Sequence, residues 1–186
     1  LADCLKTVPD DLLFHPGLDY WHDGEVIGQF PVLVAVVRSL DGSAVSLHRT
    51  YINKDGSKAD VPEVKKLMSP PLPGATRGAA VRLCPANDDL IVAEGIETAL
   101  ALQLALDKPC WACISAGGLE AVQLPKNLKR LIIGGDNDAS GAGQSAAYAL
   151  TSRLLKERKQ LKVKTIIPEC VGTDWLDVLN NKDNAA

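Results

Sequence analysis

From Leu90 onward, short strand-length runs alternate with helical ones, and this alternation restricts the chain's fold more than any other feature. Leu90–Ala93, Cys110–Ile114, Arg130–Gly134 and Val163–Pro168 read as strands. Ile96–Leu106 between them is rich in Ala and Leu and is closed by Asp107-Lys108-Pro109. Ser115-Ala116-Gly117-Gly118 opens a short helix to about Val122, and Asp174–Asn180 reads as a last short helix. Ala139–Lys159 places Ala142, Ala146, Ala149, Leu150 and Leu154 at three-to-four spacing, the period of a helix with one buried face. Strands separated by helices are joined by crossovers, so the expected fold class is α/β: a parallel sheet of about four strands flanked by helices. In such sheets functional groups gather at the carboxyl ends of the strands.

Upstream of Asp88 the character differs. Phe14, Tyr20, Trp21, Phe30 and Tyr51 crowd the first 51 residues. Pro31–Ser39 and Ser43–Ile52 form a hairpin pattern around Leu40-Asp41-Gly42. Asn53-Lys54-Asp55-Gly56 is a second turn, Ser69–Gly78 must be loop, and Ala79–Cys84 suits one more strand. Residues 1–88 are therefore expected to form a small, mostly β subdomain ahead of a catalytic domain over 89–186.

The net charge of −3 argues at face value against a nucleic-acid partner. Its distribution does not. Residues 1–48 carry two basic groups against seven acidic ones; residues 49–82 carry seven against three, and residues 126–164 nine against three. Two basic stretches therefore sit inside an acidic total. No apolar run approaches the ~20 residues of a membrane span, Phe30–Val37 being the longest, and no charged-then-apolar leader opens the chain. A cytoplasmic protein with no membrane partner is expected.

The cysteines, Cys4, Cys84, Cys110, Cys113 and Cys170, are odd in number and scattered, which does not suit a disulfide framework. Cys110-Trp111-Ala112-Cys113 lies in a strand pattern rather than at a helix start, so its thiols should point to opposite faces. No second pair completes a zinc quartet.

Carboxylates cluster at two strand ends. Glu94 follows Leu90–Ala93 directly, and Asp136-Asn137-Asp138 follows Leu131-Ile132-Ile133-Gly134-Gly135. Acids massed on adjacent strand ends repel one another unless a cation neutralises them, and hard oxygen ligands of this kind suit Mg²⁺ or Mn²⁺. The Asp136-x-Asp138-x-Ser140-Gly141 pattern also matches the start of an EF-hand loop, but the required twelfth-position acid is Ala147 and a strand rather than a helix precedes it. The rival reading has Asp136 and Asp138 only capping the following helix; a cap requires one acid, not two with an independent Glu nearby. Glu97, one turn into its helix, suits the helix dipole and reads as supporting.

Ile91-Val92-Ala93-Glu94-Gly95-Ile96-Glu97-Thr98-Ala99 and Ile132-Ile133-Gly134-Gly135-Asp136-Asn137-Asp138-Ala139-Ser140-Gly141 resemble the two signature blocks of the Toprim domain. That domain is shared by bacterial-type primases, topoisomerases, OLD-family nucleases and recombination mediators. The Glu94–Ala101 wording, the Ser115–Gly118 loop and Asp174-Trp175-Leu176-Asp177-Val178-Leu179 are most similar to Toprim domains of phage- and plasmid-type primases. So are Leu47-His48-Arg49-Thr50-Tyr51, Asp55-Gly56 and Lys65–Met68.

The resemblance implies a DNA primase core that makes RNA primers from ribonucleoside triphosphates on a single-stranded DNA template. It implies Glu94, Asp136 and Asp138 as catalytic residues holding Mg²⁺ or Mn²⁺, with Asp174 as a further ligand and Asp177 a weaker candidate. Arg49, Lys54, Lys65 and Lys66 are the nominees for template phosphates, and Ser115, Gly117 and Gly118 for nucleotide or nucleic acid. His48 reads as a satisfied strand-face histidine. Such primases usually carry a zinc-binding module and often a helicase. This sequence shows neither a zinc quartet nor a G-x-x-x-x-G-K-[ST] loop, so those partners are expected to be supplied elsewhere. A Toprim nuclease with the same metal site is the rival enzyme, and a non-catalytic, recombination-mediator-like DNA-binding module the rival outside enzymes. Tyr20, Tyr51 and Tyr148 lack the setting of a topoisomerase nucleophile.

Overall fold

The computed structural model describes residues 7–183; Asp3, Cys4 and Lys6, weighed above, lie outside them. Five strands come first: β1 (Leu12–His22), β2 (Glu25–Arg38), β3 (Ala44–Tyr51), β4 (Lys65–Leu67) and β5 (Ala80–Arg82). The alternating part follows as β6 (Asp89–Ala93), α1 (Ile96–Leu106), β7 (Cys110–Ala112), α2 (Ala116–Ala121), β8 (Arg130–Gly134), α3 (Ala142–Glu157), β9 (Lys162–Ile166) and α4 (Trp175–Asp183).

All the strands join one nine-stranded sheet in the order β4-β3-β2-β5-β7-β6-β8-β9, with β1 paired to β2. β7, β6, β8 and β9 are parallel, which is the expected four-stranded α/β core. The β-rich first half extends this same sheet. Short β5 links the two, pairing antiparallel with both β2 and β7.

Why β6 is apolar along its length follows from its central place. Leu90 and Val92 face one side and pack with Trp111, Leu119, Ile133 and Leu150, under α2 and α3. Ile91 and Ala93 face the other and pack with Val81, Ala112, Ile96 and Leu100, under α1. A strand buried on both faces has no position for a polar side chain until it ends. The same alternation sends Cys110 and Cys113 into opposite clusters, and burial pushes both thiols above the ordinary range. They are packing residues.

Several elements depart from expectation, among them β2, which begins at Glu25 rather than Pro31. β1 and β4 lack a readable pattern: β1 is interrupted by Pro16-Gly17, where its register with β2 shifts, and β4 is only 3 residues long. α3 begins at Ala142 rather than Ala139, because Gly141 adopts a left-handed conformation (φ 76°) and closes a turn onto the Asp138 carbonyl.

Leu12, Ala35 and Val37 share one cluster with Ile91, Ala93 and Leu100, so the two halves have a common core. Equilibrium urea unfolding should therefore be a single transition, coincident by circular dichroism and tryptophan fluorescence. Ile91→Ala should lower its stability by about 2–5 kcal/mol without splitting it. Separate transitions for the two halves would contradict the shared core.

Candidate active site

Parallel β6 and β8 pair in step from Asp89↔Arg130 to Ala93↔Gly134, so their carboxyl ends lie side by side. Glu94 leaves one end and Gly135-Asp136 the other, on strands roughly 4.8 Å apart. Asp136 is half-buried, and its Oδ1 is enclosed without any hydrogen-bond partner. Burial pushes its carboxyl up to about 7, reinforced by the charges of Glu94, Asp174 and Asp138. Burial, then Asp138, also raises Glu94, while the Ala116 N–H and Lys65 oppose that rise.

The other acids are held by helix starts. Asp138 Oδ2 accepts the Gly143 N–H at 2.8 Å, so Asp138 does serve α3 as a cap. Gly143 is required there, because a Cβ would stand 2.7 Å from the Asp136 carbonyl and 2.9 Å from Asp138 Oδ2. Asp174 Oδ1 accepts from the Leu176 and Asp177 N–H groups at 2.8 and 2.9 Å, while Asp177 Oδ2 accepts the Asp174 N–H at 3.0 Å. That reciprocal arrangement fixes the start of α4 and gives Asp177 a structural role.

Asn137, between the two aspartates, ties this edge together. Its N–H bonds the Thr173 carbonyl at 3.0 Å, its Nδ2 bonds the Pro168 carbonyl at 2.7 Å, and its Oδ1 accepts from Gln144 at 2.6 Å. These bonds bring the Asp174 segment beside Asp136. A polar residue between two candidate ligands was the available signal for this clamp.

Among the described residues, no three His, Cys, Asp or Glu side chains form a ready-made metal cage. Mg²⁺ binds through one or two carboxylates and otherwise keeps its waters. An unpartnered buried oxygen on Asp136, facing the charge of three further acids, suits that mode of binding.

The basic nominees divide by strand alternation. Lys65 on β4 forms an ion pair with Glu97 at 3.0 Å, and its charge reaches both Glu94 and Asp136. Lys66 points to the opposite face, where its Nζ bonds the Trp21 carbonyl at 2.6 Å and lies 4.0 Å over the Tyr20 ring. Arg49 is the cross-strand partner of Lys66 and so shares that face, with its Nε buried and unpartnered. Lys54 is exposed in the 53–56 turn, beside a groove with Phe14 and Pro31. Of the four, Lys65 is the one the fold brings to the acids. His48 is buried, as a strand-face histidine would be, but its Nδ1 has no partner, and burial lowers its proton affinity.

Ser115, Gly117 and Gly118 line a cleft of about 210 Å³ with Val37, Leu67 and Arg77. Ser115 Oγ accepts the Gly118 N–H at 3.0 Å, and a Cβ on Gly118 would collide with the Cys113 carbonyl. Ile114, just before this turn, is held at φ 73°, a strained conformation for a β-branched residue. Its N–H bonds the Glu94 carbonyl at 2.8 Å, which couples the cleft loop to the acid site. Neither this strain nor the place of Arg77 in the cleft wall is visible in residue spacing.

A Toprim domain family model matches residues 89–185, over half the chain, and the chain belongs to that family. Residues 2–78 match a domain of unknown function (DUF7146). No curated protein matches the sequence. A DNA primase domain from Pseudomonas aeruginosa superposes with a TM-score of 0.57 at 13% identity, covering 89% of this chain and 52% of that one. The DnaG primase catalytic domain bound to ssDNA gives 0.57 at 13%, covering 81% and 49%. The primase fragment of the bacteriophage T7 primase-helicase protein gives 0.56 at 20%, covering 87% and 63%. At these identities the likeness is one of fold, and the chain spans about half the length of the first two. No helix among the described residues is long and apolar enough to cross a membrane.

A half-buried carboxyl raised to about 7 destabilises the folded state as it ionises. Its unfolded-state value is ordinary, so this cost is absent below about pH 4, grows as pH rises and is complete above about pH 7. Without metal at pH 8, Asp136→Asn should therefore be more stable than the wild type by on the order of 1–2 kcal/mol, an amount limited by solvent screening. The difference should vanish near pH 4. Added Mg²⁺ should raise the melting temperature of the wild type but not of the variant.

Proposed function

We propose that this chain is the catalytic core of a DNA primase, a nucleotidyltransferase that builds RNA primers on single-stranded DNA in phage- or plasmid-type replication. The observation that carries this reading is the unpartnered oxygen of Asp136, set among Glu94, Asp138 and Asp174 at the strand ends and facing Lys65. Family membership and the primase-like fold support it. Residues 1–88 then serve as the template-binding unit and residues 89–186 as the catalytic domain.

Glu94, Asp136 and Asp138 would hold Mg²⁺ or Mn²⁺, with Asp174 as a further ligand. When bound, the ion supplies charge neutralisation at the α-phosphate and lowers the pKa of the attacking 3′-hydroxyl. Glu94, at the carboxyl end of β6, accepts the proton of that hydroxyl. Lys65, positioned by Glu97, offsets charge developing on the phosphate oxygens. Gly117, with open space about its Cα, lets a nucleotide approach the backbone of the cleft that Ser115 and Gly118 also line, and Arg77 stands at its wall for a phosphate. A helicase and a zinc-binding module supplied elsewhere would complete the replication machinery, in the cytoplasm.

Incubation with single-stranded DNA, labelled ribonucleotides and Mg²⁺ or Mn²⁺ should yield short oligoribonucleotides. Glu94→Gln and Asp136→Asn should each lower the yield by at least about 100-fold, and Lys65→Met by about 10-fold or more. Metal-dependent shortening of the DNA without synthesis would instead identify a Toprim nuclease. Salt-sensitive binding with neither product, unchanged in the variants, would identify a non-catalytic DNA-binding module.

A further inference from the structure

The second basic stretch takes no part in the site just described, and the fold gathers it in one place. Lys126, Lys129, Arg130, Arg158, Lys159 and Lys162 line an open groove of about 750 Å³. It lies at the amino ends of β8 and β9, where the turn after α2 meets the end of α3. The acids follow the opposite, carboxyl end of β8. Arg130 and Asp136 are therefore separated by about 20 Å at the rise of a strand.

Packing accounts for part of this charge. Arg158 donates to the Lys126 and Leu128 carbonyls at 3.0 and 3.3 Å, closing the end of α3 onto the turn. Arg130 pairs with Asp89, which also binds Lys108. Lys129 pairs with Asp88 at 2.7 Å, but both side chains are at least half exposed and such a pair contributes little. Lys126, Lys159 and Lys162 form no ion pair with any described carboxylate. Like charges gathered in this way repel one another and lower stability, so the surplus needs a purpose beyond helix capping.

We propose that this groove is a second nucleic-acid contact, a seat for the phosphodiester backbone at the end of the sheet opposite the carboxylates. The groove offers spaced point charges and little else. Its two leucines, Leu128 and Leu161, are buried, and no aromatic ring lines it, so it has neither an anchor for a peptide nor a platform for a base. Binding here reads phosphates and is independent of sequence. The proposal rests on the reading of the chain as a nucleic-acid enzyme, whether it synthesises or cleaves.

The test is binding of a long labelled oligothymidylate, followed by fluorescence anisotropy across a KCl series in EDTA without nucleotides. Lys126→Ala/Lys159→Ala/Lys162→Ala should bind at least about 10-fold more weakly at moderate salt, with a log–log salt slope shallower by about 2, the loss of three phosphate contacts. Each single Lys→Gln variant should reduce the slope by about 0.7, which reads the contact without relying on the triple variant to fold. Because no metal or nucleotide is present, a failure of synthesis leaves this measurement unaffected, and the two proposals fail separately. An unchanged slope and affinity in the triple variant would overturn the proposal, as would absence of wild-type binding at low salt. Displacement of the oligonucleotide by polyglutamate at equal charge concentration would also overturn it, by making the partner an acidic protein.

Discussion

The in-step parallel pairing of β6 with β8 is the constraint on which the rest of the molecule depends. Helices cover both faces of these strands, so neither can carry a polar side chain between its ends. Polar groups are expelled to the two termini. In-step register then makes those termini coincide: Asp89 meets Arg130 at one end, and Glu94 comes beside Asp136 at the other. One packing requirement therefore produces a cationic end and an acidic end on the same pair of strands.

The acidic end is costly to fold, and the helices limit that cost. Asp138 takes a backbone N–H from α3, Asp174 takes two from α4, and Glu94 is favoured by the Ala116 N–H at the start of α2. Each carboxylate so held is given a fixed orientation as well as a partner. Asp136 has no equivalent bond for Oδ1, and burial with the neighbouring acids pushes its carboxyl up to about 7. A cation arriving there would meet acids that are already oriented and would give Asp136 Oδ1 the partner it lacks.

Much of this was legible in the residues, for local reasons. Ile96–Leu106 and Arg130–Gly134 have the bounds that helical and strand patterns predict, and the four parallel strands follow from their alternation. What escaped was non-local. β1 hides behind Pro16-Gly17 and a register shift, and 3-residue β4 exists only because β3 offers an edge for it. Lys65 and Lys66 look equivalent as neighbours in sequence. Once they lie in a strand they face opposite ways, and Arg49 follows Lys66 because the two are cross-strand partners. The left-handed Ile114 gave no signal at all, since nothing in its composition demands that geometry.

The short strand that was hardest to foresee also joins the two halves at the site. β4 carries Lys65 from the β-rich half across to Glu97, in the first turn of α1, and that ion pair sits three residues beyond Glu94. Lys65 opposes the rise in proton affinity of both Glu94 and Asp136. A displacement of β4 would consequently change the charge state of acids on a different part of the sheet without touching them. β4 is held at the sheet edge by its backbone pairing with β3 and by Ser46 Oγ donating to the Met68 carbonyl at 2.6 Å, and β3 pairs in turn with β2, whose Ala35 and Val37 lie in the core common to both halves. The electrostatics of the acid site thus depend on strand pairing in the other half of the sheet, which reaches the acids through one lysine placed opposite Thr50 and paired with Glu97.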